Sequence, residues 1–312
     1  MTVNECAEAL KSHDDFLILT HTRPDGDTLG SAAALCSALR RRGKRAVLYP
    51  NGDVTPHVLW MVEPLIGEAG AAPYVVSVDV AADRMFPAGF PQKEIDLCID
   101  HHPGEHGFAA LELLNCEKAS CGEIVMEVIE ALGGGITPEE ASLLYVAVST
   151  DCGCFVYGNT TAETHRAAAR LIELGADYRR LNREFFRSMS FSRLKLEGMV
   201  FSTLRSYRGN QLNVAVVTLD MMEVCGATED DCDDLANLAG KVRGNRVAIT
   251  VRELSPGKSK ASVRTDGSVD AAALCARFGG GGHKMAAGFT MDATPDALAE
   301  ILRGAVETVW PG

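Results

Sequence analysis

The sequence contains no CxxC pair, no apolar run long enough to cross a bilayer and no excess of positive charge. Each absence excludes something. Ten cysteines in 312 residues, several inside apolar segments as Cys36, Cys98 and Cys275 are, do not make a disulfide scaffold, so reduced thiols in a reducing compartment are expected. The opening stretch MTVNECAEALKSHDD lacks the basic and apolar regions of a signal peptide. A soluble, cytoplasmic chain with no membrane partner is the expectation. With 42 acidic against 30 basic residues and a net charge of −12, the chain lacks the basic surface that long duplex nucleic acid requires. A nucleotide ligand should therefore be small, or held through metal ions. There is no internal repeat, and no low-complexity segment beyond the glycine run at 279–282.

What is present reads as two domains, because 312 residues exceed the size at which a single core usually stops growing. In the first half, FLILT (16–20), AVLY (46–49), YVVSV (74–78) and LCI (97–99) read as strands. Helical patterns run from Leu29 to Arg42, Ser120 to Leu132, Pro138 to Val148 and Ala162 to Leu174, with Pro138 suited to a first turn. Strands alternating with helices predict a parallel α/β sheet. The boundaries expected are a first domain over 1–178, a polar, aromatic and basic connection over 179–193, and a second domain over 194–312. The second alternates again: a helix near Leu194–Leu204, strand 212–219, a helix around Asp231–Leu238, strands 246–254 and 260–264, a helix over Val269–Phe278, AAGFTM (286–291) and a last helix near Pro295–Val306.

Chemistry-bearing residues gather at the ends of apolar runs. HTRPDGD (21–27), with His21, Asp25 and Asp27, follows FLILT; Asp79 ends YVVSV; Asp100, His101 and His102 end LCI. Asp151 ends LLYVAVST, a run readable as helix or strand. In an open parallel sheet, ligands bind beyond the carboxyl ends of the strands. Carboxylates and imidazoles collected there suit one or two divalent ions of the manganese kind rather than a thiolate-bound zinc. Taken singly, each is ordinary: an aspartate after a strand is usually a cap, and Asp25-Gly26-Asp27 a turn. Their shared position carries the argument. In the second domain FGGGGH follows a predicted helix, which argues against a mere flexible linker, although a glycine run alone is more often a floppy loop. Its N–H groups can form an anion-binding concavity, to which His283 and Arg264 can add charge-assisted contacts.

HTRPDGDTLGS, SVD, DHHP and STDCGCF, in that order, resemble the four motifs of the DHH phosphoesterase superfamily, and FGGGGHKMAAG (278–288) resembles the hallmark of its DHH-associated C-terminal domain. Together they are similar to the nanoRNase and pAp phosphatase branch. The resemblance covers nearly the whole chain. It implies an N-terminal parallel-sheet catalytic domain, a smaller α/β substrate-binding domain and a cleft between them that measures substrate length. It further implies a two-manganese centre, with His21 and Asp25 on one ion, Asp27 and His101 on the other, and Asp79 and Asp151 touching both. Asp100 would orient a histidine, and His102 would face the phosphate or leaving group. Substrate binding would fall on Arg264, Gly280, Gly281, Gly282 and His283. Charge counting agrees, since four crowded aspartates need about four positive charges nearby.

Such a centre performs in-line displacement at phosphorus with an activated water, so neither Ser31 nor Cys152 need be a nucleophile. The chain departs from the family where Cys152 stands in place of the usual Thr, and packing behind Asp151 is the expected role. The implied substrates are short oligoribonucleotides and pAp. The rival within the family is a phosphodiesterase for cyclic di-AMP or pApA; outside it, a non-catalytic nucleotide- or RNA-binding module, which loss of metal ligands would mark. A pyrophosphatase would not need the glycine-rich segment, and a long-strand exonuclease would need further domains. A homodimer is compatible with the family but has no signature in the sequence.

Overall fold

Four buried apolar runs in the first half close into one parallel sheet. A computed structural model describes residues 1–310 apart from 92–93, 105 and 233–234, and the chain divides into two units, Met1–Ser188 and Met189–Gly312. The first contains α1 (Val3–Ser12), β1 (Phe16–Leu19), α2 (Gly26–Arg41), β2 (Ala46–Leu48), β3 (Tyr74–Val78), β4 (Ile95–Asp100), β5 (Ala109–Leu114), α3 (Cys121–Leu132), α4 (Pro138–Asp151), α5 (Ala162–Glu173) and α6 (Tyr178–Phe186). Its five strands lie in the order β2-β1-β3-β4-β5, all parallel. From β1 the order runs outward to β2 on one side and to β3 on the other. The reversal point therefore falls between β1 and β3, where open sheets of this type take ligands.

Both faces of the sheet are covered, which is why its strands read as unbroken apolar runs rather than alternating ones. Phe16, Ile18, Val76, Val78, Leu97 and Ile99 share one core with residues of α1 to α4. Leu17, Leu19, Val75 and Ile95 pack on the other side with Phe86, Phe90 and Phe108.

The α2–α4 contact does most to position the site. A Cβ on Gly30 would sit 2.4 Å from the Leu143 carbonyl oxygen, and one on Gly26 would sit 2.4 Å from Thr150 Oγ1. Only glycines allow the two helices to approach this closely. Because Gly26 lies between Asp25 and Asp27 and Thr150 precedes Asp151, the same contact brings the start of α2 to the end of α4. Further along, the buried Glu140 receives a two-pronged contact from Arg41, at 3.1 Å for each nitrogen. Glu140 also completes a capping box with Thr137, which starts α4.

Several elements differ from the sequence expectation. The α2 helix begins at Gly26 rather than Leu29, because the Asp25 carboxylate accepts from the backbone N–H of Asp27 and Thr28. Asp27 thus lies on the helix and not in a free turn. LLYVAVST is helix. AALELL, for which the sequence carried no expectation, is strand β5, paired parallel to β4. Residues 178–186 form α6 and belong to the first unit.

The second unit contains α7 (Phe191–Ser202), β6 (Arg205–Tyr207), β7 (Leu212–Val217), α8 (Leu219–Cys225), β8 (Val247–Ser255), β9 (Lys258–Thr265), α9 (Ala271–Ala276), β10 (Gly281–His283), β11 (Ala286–Met291) and α10 (Pro295–Val309). Its sheet runs β10-β11-β9-β8-β7-β6, with only β7 and β8 parallel. Leu212, Val214, Val247 and Ile249 pack with α9 and α10. Ala215, Val217 and Ala248 pack with α7, α8 and Leu235 and Leu238. The helix expected around Asp231–Leu238 is 3-10 helix at Asp230–Cys232 and Leu235–Lys241; residues 233 and 234 lie outside the described ones. Gly281 and Gly282 of the glycine run lie in the edge strand β10, and Gly279 and Gly280 precede it. A Cβ on Gly280 would meet the Gly288 carbonyl oxygen at 2.4 Å, and Gly282 has φ 142°. Among the described residues no helix is long and apolar enough to cross a membrane.

The helix contact gives a stability prediction. Gly30→Ala should destabilise the protein by about 1–3 kcal/mol through overpacking against the Leu143 carbonyl. Urea unfolding should show a lower midpoint at unchanged slope. A midpoint equal to that of the parent would mean that the helices have room to separate.

Candidate metal centre

The sheet's carboxyl edge gathers the residues singled out in the first unit. His21 follows β1, and its Nδ1 bonds to the Thr22 carbonyl at 2.7 Å, which leaves Nε2 facing inward. That Nε2 lies 3.7 Å from Asp25 Oδ1 and 3.7 Å from Asp79 Oδ2. His101 is held the same way: Nδ1 bonds to the Lys118 carbonyl at 3.1 Å. Its Nε2 lies 3.7 Å from Asp27 Oδ2, 3.5 Å from Asp79 Oδ1 and 3.7 Å from Asp151 Oδ2. Asp79 therefore presents one oxygen to each set. It is the first residue after β3 and has φ 61°, a left-handed conformation that a non-glycine residue adopts at a cost, while its N–H bonds to the Ile99 carbonyl at 2.9 Å.

These distances are too long for hydrogen bonds. Asp79 Oδ1 and His101 Nε2 are buried and have no hydrogen-bond partner. Ligand atoms around one ion, each at about 2.1 Å, stand about 3–3.5 Å apart, so the spacing fits shared cations better than direct pairing. Two donor groups meet that description, His21–Asp25–Asp79 and Asp27–His101–Asp151, and a third, Asp79–Asp100–His101–His102, overlaps them. In His21 and His101 the second ring nitrogen is fixed by a backbone carbonyl, the arrangement that orients metal-binding imidazoles.

Electrostatics point the same way. Burial, then the charges of Asp79, Asp151 and Asp25, hold the Asp27 carboxyl well above its usual range. Burial raises Asp79 as well, and burial together with Asp79 and Asp25 lifts Asp151 to about 6. What lets Asp27 sit here is the start of α3: the N–H groups of Cys121 and Gly122 donate to it at 2.7 and 2.9 Å, and Ser31 Oγ at 3.0 Å. His102 is the opposite case. Asp100 Oδ1 accepts from its Nδ1 at 3.0 Å and from its N–H at 3.1 Å, and also from the N–H of His101 at 2.7 Å. The bond to Asp100, aided by Asp79, raises the His102 imidazole to about 11.

Sequence reasoning missed the supporting residues. Asn159 Nδ2 donates to the carbonyl of Asp151 at 3.2 Å and to that of Ala119 at 3.1 Å, tying α4 to the start of α3. Asn51 Nδ2 donates to the His21 carbonyl at 2.9 Å, Thr28 Oγ1 to the Val78 carbonyl at 2.9 Å, and His106 Nε2 bonds to the His102 carbonyl at 2.8 Å. Nothing in their sequence context marks them except proximity to the motifs. Cys152 is buried, with Sγ 3.3 Å from the Phe155 nitrogen and 3.6 Å from the Ser149 oxygen, and belongs to none of the donor groups. Burial raises its thiol.

The remaining candidates lie in the second unit. Ala286 is the register partner of both Arg264 on β9 and His283 on β10, so these two side chains rise from one face of the sheet on either side of a small residue. Gly280, Gly281 and Gly282 run alongside at the sheet edge.

Comparison with known proteins gives the family. The DHH family N-terminal domain matches residues 15–148 and the DHHA1 domain residues 211–310. A bifunctional oligoribonuclease and PAP phosphatase NrnA of Thermus thermophilus is 34% identical over 290 residues, 91% of this chain and 87% of that protein. The chain belongs to the DHH family. It is thus an α/β phosphoesterase of that family with a DHHA1 domain. The enzyme of the same name from Bacillus subtilis is 25% identical, covering 95% of this chain and 96% of that one. An exopolyphosphatase-related protein from Bacteroides fragilis shares the fold with a TM-score of 0.85 at 23% identity, over 99% of this chain and 96% of that one. RecJ of Thermus thermophilus, solved in complex with Mn2+, superposes with a TM-score of 0.51 at 16% identity over 98% of this chain and 54% of its own.

The raised carboxylates make stability depend on pH and on cations. Asp151 has a folded-state pKa of about 6 against 3.8, so in this interval the folded chain holds a proton that the unfolded chain has released. Asp27 and Asp79 are raised in the same sense. With a chelator present, Tm should therefore fall as pH rises from about 4 through about 6. Manganese should raise Tm more at pH ~7 than at pH ~5, because cations bind the ionised form. A manganese effect of equal size at both values would mean that these carboxylates do not crowd one another.

Proposed function

We propose that the protein hydrolyses short oligoribonucleotides of the size of pApA and removes the 3′-phosphate of pAp, with two divalent cations, manganese in the native enzyme. The observation that carries this reading is Asp79, whose two oxygens face two separate sets of carboxylate and imidazole donors beside His102. The names of the Thermus thermophilus and Bacillus subtilis relatives supply the substrate class, and the acidic balance of the chain favours small substrates over long strands.

In this reading His21 and Asp25 hold one cation and Asp27 and His101 the other, with Asp79 and Asp151 shared. Cations bound there supply a water acidic enough to ionise near neutral pH, and positive charge for the phosphoryl oxygens. The other steps belong to the chain. The start of α3 keeps Asp27 fixed while charge builds on the phosphate. Asp100 holds His102 protonated, with Nδ1 engaged, so that the ring's other N–H faces outward toward the phosphate. From there His102 hydrogen-bonds a phosphoryl oxygen or gives its proton to the departing ester oxygen. In the second unit, nucleotide recognition is assigned to Arg264, the backbone of Gly280, Gly281 and Gly282, and His283.

The decisive assay offers pApA, pAp, a five-nucleotide RNA and cyclic di-AMP with manganese, and resolves products by chromatography. Cleavage of pApA and the short RNA is expected; preference for cyclic di-AMP would replace this reading with a cyclic-dinucleotide phosphodiesterase. Asp79→Ala and Asp151→Ala should each abolish turnover, because both remove a shared ligand. Activity of either variant within about tenfold of the parent would sink the assignment. His283→Ala should raise KM for pApA more than it lowers kcat, and an equal loss on pyrophosphate would overturn the role given to the second unit.

A further inference from the structure

Immediately after Asp151 the backbone does something costly. Gly153, Cys154 and Phe155 have φ of 56°, 54° and 68°, three successive residues in the left-handed region, two of which are not glycine. Such conformations persist only where the surroundings impose them, and they concentrate at functional sites. Here the surroundings are visible. The N–H groups of Val156 and Tyr157 both bond to the Cys152 carbonyl at 3.1 Å, and the Thr160 N–H bonds to the Tyr157 carbonyl at 3.1 Å. Asn159 ties the far end back to Asp151. Phe155 points inward, packs against the core and stacks on His165 at 5.0 Å.

The turn leaves two large side chains exposed. Val156 is 80% exposed and Tyr157 53%. Tyr157 is nevertheless fixed: a Cβ on Gly153 would lie 2.5 Å from the ring's Cζ, so the ring lies directly on the Gly153 backbone. Gly153 is thus needed twice, for its φ and for the missing side chain. A ring laid on the backbone two residues after Asp151, with much of its surface toward solvent, is immobilised before any ligand arrives.

We propose that Tyr157 is a stacking platform for a nucleobase of the nucleotide whose phosphate is attacked at the metal centre. This rests on the phosphoesterase reading and deepens it. The scissile phosphate must lie beside Asp151, and two residues of chain span at most about 7 Å, which is within reach of a base attached to that phosphate. Stacking on a tyrosine face is tolerant of base identity, as an enzyme acting on mixed short RNA requires. Tyr157 takes no part in bond breaking, so it contributes to binding and not to the chemical step.

The test compares the parent, Tyr157→Ala and Tyr157→Phe, with manganese, on pApA and on the same molecule lacking both bases. Tyr157→Ala should raise KM for pApA roughly tenfold to a hundredfold. Its kcat should stay within about threefold of the parent, and Tyr157→Phe should restore KM. On the baseless substrate all three proteins should be alike. An unchanged KM for Tyr157→Ala, or an equal loss on the baseless substrate, overturns the proposal. So does a change in oligomeric state by gel filtration with unchanged KM, which would make this patch a contact between copies. If the parent itself leaves pApA intact, the substrate reading has failed; equilibrium dialysis with AMP then judges Tyr157 alone, weaker binding by the alanine variant supporting the platform and equal binding refuting it.

Discussion

Mutual repulsion among Asp25, Asp27, Asp79 and Asp151 is the constraint on which the rest of the first unit depends. A protein that folded for stability alone would not gather carboxylates within reach of one another: the charges of Asp79, Asp151 and Asp25 raise the proton affinity of Asp27, and those of Asp79 and Asp25 raise that of Asp151. The fold offsets part of this with groups that bring no counter-charge of their own. The start of α3 is aimed at Asp27, and the N–H groups at the start of α2 satisfy Asp25. Asp79 receives the least. It is almost fully buried, it is held in a left-handed conformation, and one of its oxygens has no partner. The residue least satisfied by the chain is the one that faces both donor sets.

The close approach of α2 and α4 follows from the same constraint. Asp151 must reach the cluster from a helix that ends there, while Asp25 and Asp27 must reach it from a helix that begins there. Two helices can deliver opposite ends to one point only if they pack antiparallel and side by side. Gly26 and Gly30 set how near they come, and the Arg41–Glu140 pair anchors the distant end. A side chain at either glycine would therefore be felt at the site as well as in the core.

Much of this was legible in the sequence. Apolar runs ending in Asp or His marked β1, β3 and β4, and the donors at their ends meet in space. The reason is that strands buried on both faces have no other place for charge than their ends. Asp151 was legible as a site residue but not as a helical one, because LLYVAVST suits either a buried strand or a buried helix. The N–H groups of Cys121 and Gly122 and the carbonyls of Lys118 and Thr22 left no trace at all. Backbone groups are common to every residue, so composition cannot reveal which of them will be aimed at a carboxylate or an imidazole. The left-handed turn at 153–155 was equally hidden, since Cys154 and Phe155 have no propensity for it. It is imposed by the ties of Cys152 and Asn159 on either side.

The crowding also explains why the supporting shell is so heavily hydrogen-bonded while Asp79 Oδ1 and His101 Nε2 at its centre are not. Were the chain to satisfy Asp79 Oδ1 and His101 Nε2 with its own groups, no lone pair would remain for a cation, and the site would be stable and inert. Leaving them unpaired stores unfavourable energy in the folded state, which binding of a cation releases. Affinity for the ion and instability without it are then one quantity viewed from two sides. The surrounding bonds to Thr22, Lys118 and Asn159 keep that energy from being relaxed by movement: each fixes a donor that would otherwise rotate toward its neighbour and form a direct bond. Rigidity around the centre is what converts repulsion among carboxylates into a place where a cation binds.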